Sequence, residues 1–347
     1  MPNAALSPIG LLMAATMSIT NVLTDVARKR ALEGRDLIPA TFWIRTAVTT
    51  VFAIVLLYRL AVGASIVIRD GGPLFGIGSL HLAPAPTFLI YLTLNVVMIT
   101  AVMWLYFRAL QISPMSMCIP FLSFTPVFLI PTGFIILGEV PAPLKALGVA
   151  LIVVGSLVMH RRLFAEGLLA PAKAVLREKG SRYMLLVSLI FAITNPLDKK
   201  LVTMSDVFFE AFAYGAGLCL AFWIMGRTQR ANFAAASRAN WTWISLAGLL
   251  DAVSLLFQLA SYAYIAVVIT VSIKRAGIIL SVFSGWLFFH ERGITDKVIA
   301  ASVMFCGVLI LYLPLSPLQA AALTLFTLAG MGLALYLTRN EKGVTVS

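Results

Sequence analysis

The sequence predicts an all-α polytopic membrane protein, built as two inverted five-helix repeats with a probable eleventh C-terminal transmembrane helix. Three observations carry this. The 347 residues are 61% hydrophobic and only 12% charged, against about 25% charged in soluble domains. Apolar runs near twenty residues recur along the whole length, each long enough to span a bilayer as a helix. The two halves of the chain also repeat one another. A membrane barrel is excluded because no segment alternates apolar and polar residues in ten-residue pieces.

Hydrophobic windows and Gly/Pro breakers place the first five spans at about 5–26, 39–60, 87–110, 115–138 and 142–160. The second five fall at about 183–201, 207–226, 242–264, 267–290 and 295–314. Residues 318–337 form an eleventh apolar stretch, followed by a tail at 338–347. The domains expected are therefore 1–160, a basic connecting segment at 161–182, and 183–314. That connector reads as a surface helix suited to an anionic leaflet. The first span lacks a basic region ahead of it, which reads as a retained helix and not a cleaved signal.

The repeat is explicit when Glu139 is set against Glu291. LGEVPAPLKALGVALIVVGSLVM then aligns without a gap on FHERGITDKVIAASVMFCGVLIL, with Lys145 on Lys297 and Gly155 on Gly307. A second echo sets ITNVL (19–23) against ITNPL (193–197). Because five is odd, the second copy is inverted in the membrane, an architecture that places a site between the repeats at mid-depth.

The net charge of +12 does not point to nucleic acid, because the cations lie in short loops and form no basic domain. Most of the 26 Lys/Arg follow odd-numbered spans, which puts the N-terminus outside and the C-terminus inside. Cys118, Cys219 and Cys306 lack paired spacing and read as small buried hydrophobes. His81, His160 and His290 are far apart and outside any metal motif, and no catalytic motif occurs. No enzyme activity, metal or cofactor is expected.

The residues that bear chemistry are charges inside spans. Lys274 and Arg275 sit side by side in TVSIKRAGIILSVFSGWLFFHER, where each central cation costs about 2.5–3.5 kcal/mol. They read as an anion site, with Arg forking onto phosphate or carboxylate and Lys adding a point charge. The bland alternative is a structural ion pair or a snorkelling pair. The first-half copy has Leu122 and Ser123 at these positions, so the repeat folds without cations there. Asp251 reads as counter-ion, proton carrier or water-facing acid. Gln258 reads as a substrate ligand or an interhelical bond, and Arg45 as a snorkelling cation with an acidic partner or a substrate ligand. Asp25 and Asp198, beside Asn21 and Asn195, are charged helix ends or alternate gates. Glu139 and Glu291 read as helix caps, and Gly133, Gly155, Gly285 and Gly307 as close-packing positions.

The motifs PVFLIPTGFIILGEVPAPLKALGVALIVVGSLV and ILSVFSGWLFFHERGITDKVIAASVMFCGVLIL resemble the fourth and fifth helices of the drug/metabolite transporter (DMT) superfamily, EamA type. FWIRTAV, with Arg45, resembles its second helix. The resemblance implies a ten-helix inverted-repeat carrier with a central cavity and both termini cytoplasmic. The Lys274–Arg275 pair is similar to the sugar-phosphate and nucleotide-sugar carrier branch, where such a pair binds phosphate. No Lys or Arg lies between Met115 and Gly138, so the fourth-helix partner of that clamp is missing.

The expectation is a secondary transporter of the cell inner membrane that moves a small anionic metabolite. Its partners are the lipid bilayer and a coupling proton or counter-substrate, with a homodimer left open. The competing readings are a proton-coupled EamA-type exporter of amino acids or amphipathic compounds, and a non-transporting scaffold or accessory subunit.

Overall fold

A computed structural model describes residues 7–32, 36–70, 83–112, 119–139, 141–158, 179–234, 241–277, 294–313 and 315–341. Among them the chain forms eleven α-helices and one 3-10 helix, with no strand. They are α1 Pro8–Leu32, α2 Leu37–Ala61, α3 Pro84–Ile112, the 3-10 helix Ile119–Phe124, α4 Thr125–Leu137 and α5 Pro143–Val158. There follow α6 Lys179–Met204, α7 Val207–Thr228, α8 Trp241–Ser261, α9 Val267–Ala276, α10 Ile294–Tyr312 and α11 Pro317–Glu341.

Among the described residues five stretches are long and apolar enough to cross a membrane: Pro8–Arg28, Leu37–Ala61, Pro84–Tyr106, Val207–Thr228 and Trp241–Ser261. The polarity of the packing agrees with that. Large apolar side chains face outward, as Leu57, Leu89, Leu318 and Phe326 do, while Asn95, Glu210, Ser188 and Thr270 are buried. In water such a distribution would leave apolar surface uncovered; in hydrocarbon it is the one that satisfies polar groups. The chain is a multi-pass membrane protein.

The expected fourth span differs from a single helix. It is split into the 3-10 helix and α4 at Thr125, and the reason is Pro126 at the second helical position. A proline has no N–H for the carbonyl four residues back. The Thr125 hydroxyl instead donates to that carbonyl, Leu122 O, at 2.7 Å. The stretch after α9, with Glu291 and Gly285, and residues 159–178 lie outside the described residues; of the connector expected at 161–182, only 179–182 are described, and they open α6.

Helix pairs form the interior. α1 packs on α8, α3 on α6, α2 on both α7 and α8, α7 on α3, and α5 on α10. α4 lies on α6, α9 lies on α1 and α4, and α11 rests on the outside of α10. The α5–α10 crossing brings two backbones together: a Cβ on Gly307 would stand 2.7 Å from Gly148 O and 3.0 Å from Ile152 N. Gly133, expected to do the same, has nothing nearer than 3.9 Å.

Gly307→Val should therefore cost about 1–3 kcal/mol, since backbone and not a movable side chain blocks the new methyls. Thermal unfolding in detergent would register this as a lowered midpoint, with Gly133→Ala close to wild type.

Candidate functional site

Everything at the site hangs on α9, a helix held at both ends. At its start, α4 ends on Gly138 in the left-handed conformation (φ 69°), which turns Glu139 toward Val267. Glu139 Oε2 accepts the Val267 N–H at 3.2 Å, satisfying one of the orphan donors of the first turn of α9. Lys199 of α6 holds the other oxygen, Oε1, at 2.5 Å and also donates to Ile265 O at 3.1 Å. At its far end, Gly277 lets α1 approach: a Cβ there would stand 2.5 Å from Ser18 Oγ. Ser18 Oγ donates to Ile273 O at 3.1 Å.

Between these anchors Lys274 and Arg275 point into the interior, both half-buried with some surface still accessible. Lys274 Nζ donates to Gln258 Oε1 at 2.8 Å. Gln258 Nε2 donates to the Tyr262 hydroxyl at 3.0 Å, and that hydroxyl donates to Asn195 Oδ1 at 3.0 Å. Asn195 in turn donates to Phe191 O within α6. Every donor in this chain runs in one sense, from the cation of α9 through α8 to α6, the arrangement in which each bond polarises the next. Arg275 reaches the other way, Nη2 donating to Thr125 Oγ1 at 3.3 Å with its guanidinium 5.9 Å from the Phe191 ring. The Thr125 hydrogen is committed to Leu122 O, so a lone pair is presented to the arginine.

α6 carries a second proline device beside Asn195. Pro196 lies inside the helix and leaves Ala192 O without its ladder partner. The Thr132 hydroxyl of α4 stands 2.5 Å from that oxygen.

Arg45 and Asp251 join a different cluster. Asp251 Oδ1 pairs with Arg28 Nη2 at 2.7 Å and Oδ2 lies 3.0 Å from Arg45 Nη1. The carboxylate thus ties α1, α2 and α8 together; its direct counter-charges are the two arginines, and Lys274 of α9 acts on it more weakly. Arg28 lies just past the expected end of the first span at 26, and it turns inward from the end of α1.

Asp198 lies on α6, one helical turn beyond Asn195. Asn95 of α3 donates a short hydrogen bond to its Oδ1. Glu210 of α7 is close enough for the two carboxylates to repel, and Tyr214 lies within reach of both charges. Sequence reasoning missed Glu210; the available signal was an acid three residues inside the apolar run VFFEAFAYG. Asn21 is half-buried on α1, and the side chain of Asp25 lies outside the described residues. Among the described residues no group of three His, Cys, Asp or Glu is arranged to hold a metal ion.

Residues 8–161, from α1 to just past α5, match the EamA-like transporter family. That match, over less than half of the chain, supports a place for this stretch in the drug/metabolite transporter superfamily and is in keeping with a transport role. A solved crystal structure, described only as that of a protein, superposes with a TM-score of 0.66 at 12% identity, covering 87% of this chain and 96% of that one. At that identity the likeness speaks for the fold alone. No curated protein matches the chain.

Asp251→Asn should destabilise the protein by about 3–5 kcal/mol, because it strands Arg28 and Arg45 in a poorly solvated place. Arg28→Gln should cost less, since Arg45 still meets the carboxylate. A double-mutant cycle on thermal unfolding measures the difference, and equal losses would refute the shared-carboxylate account.

Proposed function

We propose that the chain is a secondary active transporter of the cell inner membrane, moving a small phosphate- or carboxylate-bearing metabolite by alternating access. The observation that carries this is the pair Lys274–Arg275, adjacent and half-buried in the interior, with the neutral side chains of Gln258 and Thr125 among its hydrogen-bond partners. Two cations at one place attract a compact anion, and the fork of Arg275 suits its oxygens. Gln258 and Thr125 border the same space as hydrogen-bonding neighbours. The Arg28–Asp251–Arg45 cluster and the Lys199–Glu139 pair tie helices together on either side of it, where gates of such a carrier belong.

Two inverted halves, 1–160 and 183–314, with 161–182 between them and 318–337 and the tail 338–347 beyond, complete the reading. The packing supports it, because the pattern survives exchange of the halves. α1 on α8 answers to α6 on α3, α9 on α1 to α4 on α6, and α2 on α8 to α7 on α3. The self-matching pairs α2–α7 and α5–α10 meet across the middle. Rocking of one half against the other would then expose α9 to each side in turn. The departure from a full phosphate clamp remains: the fourth-helix neighbour of Arg275 is Thr125, a hydroxyl and not a cation.

Inorganic phosphate and a panel of organic phosphates and carboxylates should raise the melting temperature of the purified protein. Ligand at a hundred times its dissociation constant adds about 2.7 kcal/mol. Lys274→Gln and Arg275→Gln should each abolish most of the shift and the matching uptake into proteoliposomes. Unchanged uptake in both variants would remove the anion site. A chain that moves nothing and co-purifies with a defined partner would favour the scaffold reading.

A further inference from the structure

We propose that Asp198 and Glu210 together hold one exchangeable proton, forming a coupling site separate from the Lys274–Arg275 pair. The case starts from a shortage of donors. An ionised carboxylate and an amide oxygen accept hydrogen bonds and give none. Glu210 and Asn95 are both 0% exposed and Asp198 is 8% exposed, so water does not make up the deficit. Both carboxylate oxygens of Glu210 and the amide oxygen of Asn95 have no hydrogen-bond partner among the described residues. Asn95 spends an N–H on Asp198, which fixes the amide and sets its unsatisfied oxygen at the same cluster. A set of buried acceptors without a donor is incomplete, and one proton on the carboxylate pair supplies the missing O–H.

Electrostatics points the same way. Two carboxylates close enough to repel, in an interior of low polarity, do not both keep their charge. The surroundings decide which one does. Asp198 has the Asn95 N–H and feels the positive charge of Lys274 on α9. Glu210 faces Asp198 itself and sits one helical turn from Tyr214. Tyr214 and Tyr262 feel both acids, and Arg45 and Asp251 act on Tyr214 from α2 and α8. Lys199, next along α6, is spent on Glu139. The proton therefore rests on Glu210, and its transfer to Asp198 leaves a carboxylate on Glu210 and a carboxylic acid on Asp198, with no other species consumed.

Use of this proton for coupling rests on the transport reading above. Lys274 links the two sites: an anion bound at α9 shares the lysine's charge, withdraws that support from Asp198 and favours protonation of the pair. Anion and proton would thus load together.

Infrared spectroscopy of the protein in lipid bilayers tests the pair without any substrate. The expected result at neutral pH is a carboxylic-acid C=O band that shifts in D2O, shifts again on labelling glutamate with carbon-13, and vanishes in Glu210→Gln. In Asp198→Asn the repulsion is gone, and the band should titrate away with a midpoint lower by at least about one pH unit. The label keeps the test valid in wild-type protein if either variant fails to fold. No glutamate-labelled acid band at neutral pH overturns the proposal. So does a midpoint unmoved in folded Asp198→Asn, or a band governed by sodium and not by pH, which would mark a sodium site. A band that behaves as expected in protein that phosphate fails to stabilise would sink the anion reading and leave the proton site standing.

Discussion

A charge inside hydrocarbon must be met by protein, and in this chain that requirement fixes which helices sit together. Apolar packing alone discriminates weakly between partners in a membrane, because lipid tails are as apolar as the side chains they replace. The polar clusters supply the discrimination. Glu139 and Lys199 join the end of α4 to α6 and to the first turn of α9. Arg28, Asp251 and Arg45 join α1, α8 and α2. Lys274, Gln258, Tyr262 and Asn195 join α9, α8 and α6. α6, α8 and α9 each enter two of these, so a shift in one cluster is transmitted to another through a rigid helix.

Much of this was legible in the residues. The order of the helices, the acid–base character of Arg45 and Asp251, the capping role of Glu139 and the echo around Asn195 all follow from the positions of polar residues in apolar runs. What was not legible has a common physical cause. A hydropathy window weighs a residue by its own span, whereas the cost of a charge depends on which other helix faces it. Arg28 counts as a loop cation until α8 brings Asp251 beneath it. Glu210 looks like a helix-end acid next to Asp206, yet α3 and α6 close over it. The break before α4 is local and was readable from Pro126, but only the geometry shows that Thr125 fills the vacancy.

Pro126 of α4 and Pro196 of α6 reveal how the site keeps its backbone satisfied. In each case a threonine hydroxyl stands at the carbonyl that the proline leaves without a partner: Thr125 at Leu122 and Thr132 at Ala192. The first of these hydroxyls also accepts from Arg275. Backbone accounting and ligand chemistry are therefore carried by the same side chain, and a substitution at Thr125 cannot disturb one without the other.

Pro196 gives α6 a property that its counterpart lacks. The echo places Val22 of α1 where α6 has Pro196, so only the second copy loses a rung of its hydrogen-bond ladder. A helix bends most easily where a rung is missing, and the oxygen there is held by α4, a neighbour and not the helix itself. The segment bearing Asp198 and Lys199 is thus jointed to the rest of α6, while α1 stays a plain rod. Two helices that carry the same five-residue echo need not share mechanical stiffness, and the compliant member is the one that carries Asp198.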